Sequence, residues 1–315
     1  MKKILVTGAS GFIGEFICKT LLKSGKSVRG IVRSINLCSK NTDIEYIAIG
    51  DITHKKDWRN ILVDIDCIIH CAGRAHIINE KKSDALKIYR SVNVDATTQL
   101  AEQAAEAGVR RLVFLSSIGV IGLDTNNRKS FLYSDEINPI ENYAISKSEA
   151  EQALLQISNK TIMETVIIRA PLVYGPSAPG NLARLIKLVR SGIPLPLGKI
   201  NNKRSMVGID NLVDLLIRCI DHPCSAGKTF LVSDGEDIST TDLINYIASS
   251  MGRKAHLFPV PIFLLKFLGR IFNKEKEIDR LVGSLKVDSN YTQEILNWIP
   301  PVSVVEGIRR MVQDK

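Results

Sequence analysis

Tyr143 and Lys147 stand four residues apart in Tyr143-Ala144-Ile145-Ser146-Lys147, so on a helix a phenol and an ammonium lie one turn apart on one face. A free tyrosine titrates near ~10 and is a poor base at neutral pH, whereas an adjacent cation favours its phenolate. Together the two make a usable acid/base. The spacing alone says little, since a lysine four residues beyond one of seven tyrosines arises readily by chance. Ser117 adds to it. The serine closes the run Arg111-Leu112-Val113-Phe114-Leu115-Ser116, where its hydroxyl can hydrogen-bond a carbonyl or alkoxide oxygen; the bland alternative is that Ser116-Ser117 simply ends a strand.

These three need a scaffold, and the first residues supply one. Lys2-Lys3-Ile4-Leu5-Val6 reads as a buried strand, Thr7-Gly8-Ala9-Ser10-Gly11-Phe12-Ile13-Gly14 as a turn, and Glu15 to Lys23 as a helix, the start of a βαβ unit. A turn that brings backbone N–H groups against a pyrophosphate cannot carry side chains there, and the following helix N-terminus favours negative charge. Glycines also serve ordinary turns; the place between the first strand and helix favours a bound dinucleotide.

Further strands are expected at Val28–Val32, Ile44–Ile49, Cys67–Gly73 and Arg111–Leu115, alternating with helical segments, one of them running through Asn93 to Gly108. This alternation implies an α/β fold, a doubly wound parallel Rossmann sheet whose ligands bind beyond the carboxyl ends of the strands. The second strand ends in Val32-Arg33-Ser34 with no carboxylate to accept hydrogen bonds from the adenosine ribose. Arg33 suits a 2′-phosphate, so NADP(H) is favoured, with NAD(H) the alternative. Beyond Gly175, prolines interrupt the pattern around a helix from Leu182 to Ser191. The helix Asp210–Asp221 and the strand Lys228–Val232 return to the sheet, and a mainly helical stretch from Ser239 ends around Trp298-Ile299-Pro300-Pro301. The expected division is residues 1–174 and 207–236 for the Rossmann domain, and 175–206 and 237–315 for a smaller, mainly helical C-terminal substrate domain.

A chain of 315 residues with 45% hydrophobic and 24% charged residues is an ordinary soluble α/β composition, not a disordered or fibrous one. Six cysteines include no C-x-x-C pair, and the N-terminus enters a strand directly, which points to the cytoplasm. Cys67 and Cys71 share a strand face while His70 points the other way, so no metal site is expected. The net charge of +9 is spread along the chain; it suits phosphates and argues against nucleic acid. Leu257 to Phe272 is too short and too interrupted to span a bilayer. The expectation there is an apolar helix packed on the substrate domain, an interfacial helix being the alternative.

The wide Thr-Gly-x-x-Gly-x-x-Gly spacing, Ser117, the Tyr143/Lys147 pair, Arg169-Ala170-Pro171-Leu172-Val173-Tyr174-Gly175-Pro176 and Arg204 to Asn211 resemble the extended short-chain dehydrogenase/reductases of the nucleotide-sugar epimerase/dehydratase type over essentially the whole chain. The resemblance implies that Gly8, Ser10, Gly11, Phe12, Ile13 and Gly14 hold the dinucleotide. It places Asp51 and Ile52 at the adenine, and Cys71, Ala72, Gly73, Asn93, Pro171 and Val173 along the cofactor. Lys147 would hold the nicotinamide ribose and lower the pKa of Tyr143, and Ser117 would orient the substrate oxygen. Asn181, Arg204 and, less directly, Arg280 would meet the diphosphate of a UDP-sugar. Relatives commonly dimerise through the helix after the fourth strand and the helix bearing Tyr143, so a homodimer is expected.

Ser117 is followed by Ile118-Gly119, where dehydratases of the group carry an Asp-Glu pair, so dehydration is not expected. Between a 4-ketosugar reductase and a 4-epimerase, Arg33 and the missing ribose carboxylate favour the reductase, as does Ile121 in place of the tyrosine of a Val-Tyr-Gly segment. The expected activity is NADP(H)-dependent reduction of the 4-keto group of a UDP-linked 6-deoxy-N-acetylhexosamine for surface polysaccharide. The alternative is a UDP-glucose or UDP-N-acetylglucosamine 4-epimerase that retains NAD. A non-catalytic NADP(H) sensor is the reading from another class, against which the Tyr/Lys pair stands.

Overall fold

The computed structural model describes residues 3–37, 43–52, 56–75 and 85–313; Lys2 and Cys38 lie outside them. Apolar runs of five to seven residues, buried on both faces, make the central strands: β1 (Lys3–Thr7), β2 (Val28–Val32), β3 (Glu45–Ala48), β4 (Ile65–His70), β5 (Arg111–Ser117) and β6 (Glu164–Ala170), with β3 shorter and more exposed at the edge. Two short strands follow, β7 (Leu172–Tyr174) and β8 (Met206–Gly208), and then β9 (Thr229–Leu231). Among the described residues the helices are α1 (Phe12–Lys23), α2 (Ala85–Arg90), α3 (Ala96–Glu106), α4 (Asn142–Lys160), α5 (Asn181–Ser191) and α6 (Ile209–Asp221). They continue as α7 (Thr240–Ser250), α8 (Ile262–Ile271), α9 (Glu275–Val282), α10 (Asn290–Leu296) and α11 (Val304–Gln313).

Among the described residues the main sheet has seven strands in the order β3-β2-β1-β4-β5-β6-β9, paired in parallel throughout. β1 is flanked by β2 and β4, so the chain reverses its winding direction beside β1 and opens a crevice there. The register aligns Thr7 with both Ile31 and His70, and Ser117 with Ala170. Thr7, His70 and Ser117 thus all sit at the carboxyl ends of their strands.

Alternation along β1 sends Ile4 and Val6 to one face and Leu5 to the other. The first face packs Val6 and Ile69 against α1 and α6 through Ile17, Leu21, Leu212 and Leu216. The second packs Leu5, Ile68 and Phe114 against α3 and α4 through Leu100, Ala104 and Leu154, with Trp58 fully buried among them. A separate core gathers Tyr174, Leu182, Ile186 and Met206 with Ile244 and Ile308 of α7 and α11.

The β7–β8 pair is not anticipated by the sequence pattern, because each strand is three residues long and Pro171 and Pro176 flank the first. The helical region also continues past Pro301 as α11, where an end at Trp298–Pro301 was expected: the two prolines break the chain only locally, and a second amphipathic segment follows. Leu296 and Trp298 turn back into the core beneath the main sheet, with the Trp298 indole N–H donating to Asp214 at 2.7 Å.

Candidate active site

The turn between β1 and α1 is shaped by what cannot fit. Gly8 has a φ of 69°, and a Cβ there would lie 3.0 Å from the Ala72 nitrogen. A Cβ at Gly14 would lie 2.1 Å from the Gly8 carbonyl oxygen, so helix and turn can approach this closely only without side chains. Gly11, the residue before α1, offers no side-chain cap. The first-turn N–H groups of Phe12, Ile13 and Gly14 therefore face the crevice as donors for an anion. The cradle fits a dinucleotide pyrophosphate on steric and donor grounds, with Ser10 half-buried beside it.

The turn is fixed to β4 by a buried network. Thr7 Oγ1 accepts from the Ala72 N–H at 3.1 Å and meets His70 Nδ1 at 2.7 Å, while His70 Nε2 meets Thr97 Oγ1 at 2.9 Å. Burial, with Lys147 adding repulsion, pushes the His70 pKa down to about 3, so the imidazole is a neutral bridge between hydroxyls. By sequence His70 stands out only as a metal-ligand candidate; Thr7 and Thr97, its actual partners, carry no spacing signal. Cys71 and Ala72 are half-buried and Gly73 exposed, which makes a low-profile strip beyond β4; burial pushes the Cys71 thiol up to about 12.

Asn93 joins this strip to α4. It lies buried in a π-helical turn, Ser91–Asp95, a widened geometry common at functional sites. Its Oδ1 accepts from the Arg74 N–H at 2.8 Å, and its Nδ2 donates to the Arg74 carbonyl at 3.0 Å and to Ser146 Oγ at 2.9 Å. The Ser146 hydroxyl donates in turn to the Tyr143 carbonyl at 2.7 Å.

Tyr143 and Lys147 share α4 as the spacing predicts. The Lys147 ammonium is buried, 4.1 Å from the centroid of the Phe114 ring, and is a close neighbour of Gly73; burial brings its pKa down to about 8. Tyr143 departs from the expectation of a lowered pKa. Burial, with Tyr89 adding, pushes the phenol up to about 12, because the ammonium is directed at Phe114 and Gly73. Ser117 Oγ accepts from the Gly119 N–H at 3.2 Å, and Gly119 fits closely against Ser117 and Ala144, which sets the serine beside the start of α4.

At the far end of the crevice Arg33 Nε lies 2.9 Å from Asp51 Oδ1, with both side chains more than 70% exposed. Such a pair is weak and leaves the guanidinium available to an anion. Ile52 is half-buried, Pro171 is buried, and Val173 packs on the sheet core from β7. On the substrate side Arg204 donates to the carbonyls of Arg280 at 2.8 Å and Gly283 at 3.1 Å; burial and the neighbouring Arg280 lower its pKa. Arg280 pairs with Glu141, the residue that precedes α4. The two arginines are thus brought together next to Tyr143's helix. Asn181 opens α5 with its side chain exposed, and no hydrogen bond among the described residues joins it to either arginine. Among the described residues, no group of three or more His, Cys, Asp or Glu could hold a metal ion.

Comparison with known proteins gives the same arrangement a context. The NAD dependent epimerase/dehydratase family model matches residues 4–233. A UDP-glucose 4-epimerase of Vibrio cholerae is 42% identical, covering 99% of this chain and 95% of its own. The N-acetyl-alpha-D-glucosaminyl-diphospho-ditrans,octacis-undecaprenol 4-epimerase of Escherichia coli O157:H7 is 24% identical, over 98% of this chain and 94% of its own. Among solved structures, a UDP-glucuronic acid 4-epimerase from Bacillus cereus in complex with NAD superposes with a TM-score of 0.80 at 23% identity, covering 99% and 98% of the two chains, a likeness of fold.

Proposed function

The chain belongs to the NAD-dependent epimerase/dehydratase family and is a nucleotide-sugar enzyme of that type, and from that premise we propose that it reduces the 4-keto group of a UDP-linked 6-deoxy-N-acetylhexosamine with NADPH. The observation that carries the reading is Arg33 at the carboxyl end of β2, a position that holds no ribose-binding carboxylate. A cationic fork there suits a 2′-phosphate, and a cofactor consumed in net reduction must be released.

The Gly8–Gly14 cradle holds the pyrophosphate, Arg33 the 2′-phosphate, and Asp51 and Ile52 lie towards the adenine. The bound dinucleotide would supply the hydride. Ser117 accepts from Gly119 N–H, which leaves its own hydroxyl hydrogen to bind the substrate's C4 oxygen. Tyr143, its phenol held above the usual tyrosine range by desolvation, donates its proton to the oxygen that becomes the C4 hydroxyl. Lys147 fixes the sugar edge of the cofactor beside Gly73. Arg204 and Arg280 offset the diphosphate charge, with Asn181 at the mouth, and residues 175–206 and 237–315 form the substrate side. The chain homodimerises through α3 and α4, where the exposed Leu155 on α4 offers an apolar contact.

The second reading is a UDP-glucose or UDP-N-acetylglucosamine 4-epimerase that retains NAD, favoured by the 42% identity to the UDP-glucose 4-epimerase of Vibrio cholerae. Incubation with a UDP-4-keto-6-deoxy-N-acetylhexosamine separates the two. Stoichiometric NADPH oxidation with formation of the 4-hydroxy sugar supports reduction. No oxidation, together with interconversion of UDP-glucose and UDP-galactose at constant cofactor, supports epimerisation.

A further inference from the structure

α8 packs on the substrate-side core through Leu265, as expected of an apolar helix there, but much less of it is covered than its sequence suggests. Of its ten residues, only Leu265 and Gly269 are buried. They form one narrow stripe, where Gly269 lets Ile278 of α9 come close. The opposite face carries Phe263 at 74%, Phe267 at 58% and Ile271 at 57% exposure, and Phe272 just beyond is 69% exposed. Large apolar groups this exposed on consecutive turns of one helix mark an interaction surface.

Apart from Glu275, Glu277 and Asp279 of α9, the neighbouring segments are basic. No Asp or Glu occurs from 170 to 203 or from 243 to 274, and each stretch carries five Lys or Arg residues. The structure joins them into one surface. Leu195 bridges Leu257, the Gly198 N–H donates to the Phe258 carbonyl at 3.1 Å, and Arg253 donates to the Arg190 carbonyl at 2.8 Å. Lys266 and Arg270 flank the apolar face and pair with Asp279 and Glu275 of α9. Lys187, Arg190, Arg253 and Lys254 are exposed and, among the described residues, make no ion pair.

We propose that α8 and the basic surface beside it dock the protein on an anionic bilayer surface, the phenyl rings entering the acyl boundary and the lysines and arginines meeting the headgroups. An amphipathic helix with a basic margin binds in this way without spanning, and no helix among the described residues is long and apolar enough to cross a membrane. The exposed Lys187, Arg190, Arg253 and Lys254 beside the apolar face complement anionic headgroups in charge.

The test is flotation of the full-length protein with vesicles of phosphatidylcholine, alone or mixed with phosphatidylglycerol. It compares wild type, Phe263→Ser/Phe267→Ser and Lys187→Glu/Arg190→Glu, whose melting temperatures report that the exposed substitutions leave the fold intact. The expected result is flotation with the mixed vesicles only, weakened by salt and reduced about tenfold in each double variant. Absence of flotation, or equal flotation of all three proteins, overturns the proposal. So does a concentration-dependent dimer that the Phe263→Ser/Phe267→Ser variant dissolves, which assigns the face to a second copy.

Discussion

Asn93 Nδ2 donates to Ser146 Oγ at 2.9 Å, and through that hydroxyl the exit from β4 is tied to the carbonyl of Tyr143. The link runs from the loop at Arg74 to the helix that carries Tyr143, so it sets how that loop sits relative to the phenol. Asn93→Ala is expected to destabilise the fold by about 2–4 kcal/mol, at about 1 kcal/mol or more per buried hydrogen bond lost. It should also lower kcat about 100-fold through misplacement of Tyr143. Ser146→Ala should show the same kinetic effect in milder form. Thermal melts and steady-state rates check both; unchanged kcat in each variant would remove the positioning role.

Lys147 gives a stability effect of known sign. Its pKa in the folded protein is about 8 against an ordinary 10.5, so between those values the unfolded chain binds the extra proton. The lysine therefore destabilises the fold at neutral pH, and that penalty fades as pH rises from about 8 towards 10.5. The contact with Phe114 offsets part of it. Lys147→Met should abolish measurable turnover without lowering the melting temperature at pH 7, and wild type should gain on the variant as pH is raised. A melt several degrees lower for Lys147→Met at neutral pH would contradict this.

Glu151 and Arg169 form a buried pair, with Arg169 Nη2 donating to Glu151 at 2.7 Å and the Ser116 hydroxyl donating to the same carboxylate at 2.5 Å. Neither touches the crevice, but the pair fastens α4 to β5 and β6 just beneath Tyr143 and Lys147. Glu151→Ala leaves a buried guanidinium unpaired, at an expected cost of about 3–5 kcal/mol, while Glu151→Met/Arg169→Met should recover most of that. Denaturant unfolding of both variants is the check, and equal losses would show that the charge is not the cause.

Much of this architecture is legible in the residues themselves. The β1–turn–α1 unit is visible because Gly8, Gly11 and Gly14 have a steric reason to be glycine. Tyr143, Lys147 and Ser117 are visible because helix spacing and strand ends fix where such side chains go. The clamp at Asn93 is not, since a π-helical turn has no composition of its own and Ser146 looks like any helix serine. His70 is misleading, as its hydroxyl partners come from positions 7 and 97. Nor could periodicity place α8: with apolar residues almost all round, Ile262-Phe263-Leu264-Leu265-Lys266-Phe267-Leu268 names no buried face, and only the contact with α9 does.

Arg33 should decide between the phosphorylated and unphosphorylated cofactors. Arg33→Ala is expected to raise the KM for NADPH about 10–100-fold, the worth of a charge-assisted hydrogen bond, with little change for NADH. Loss of the exposed contact with Asp51 should not alter stability measurably. An equal effect on both cofactors would mean that Arg33 does not read the 2′-phosphate.

The most direct measurement is to denature the purified protein and identify any released dinucleotide by mass spectrometry. Little bound cofactor, or NADP, is the expected result for an enzyme that consumes NADPH and releases NADP at each turnover. Stoichiometric NAD would contradict it, because retention of that cofactor through repeated cycles is what 4-epimerisation requires.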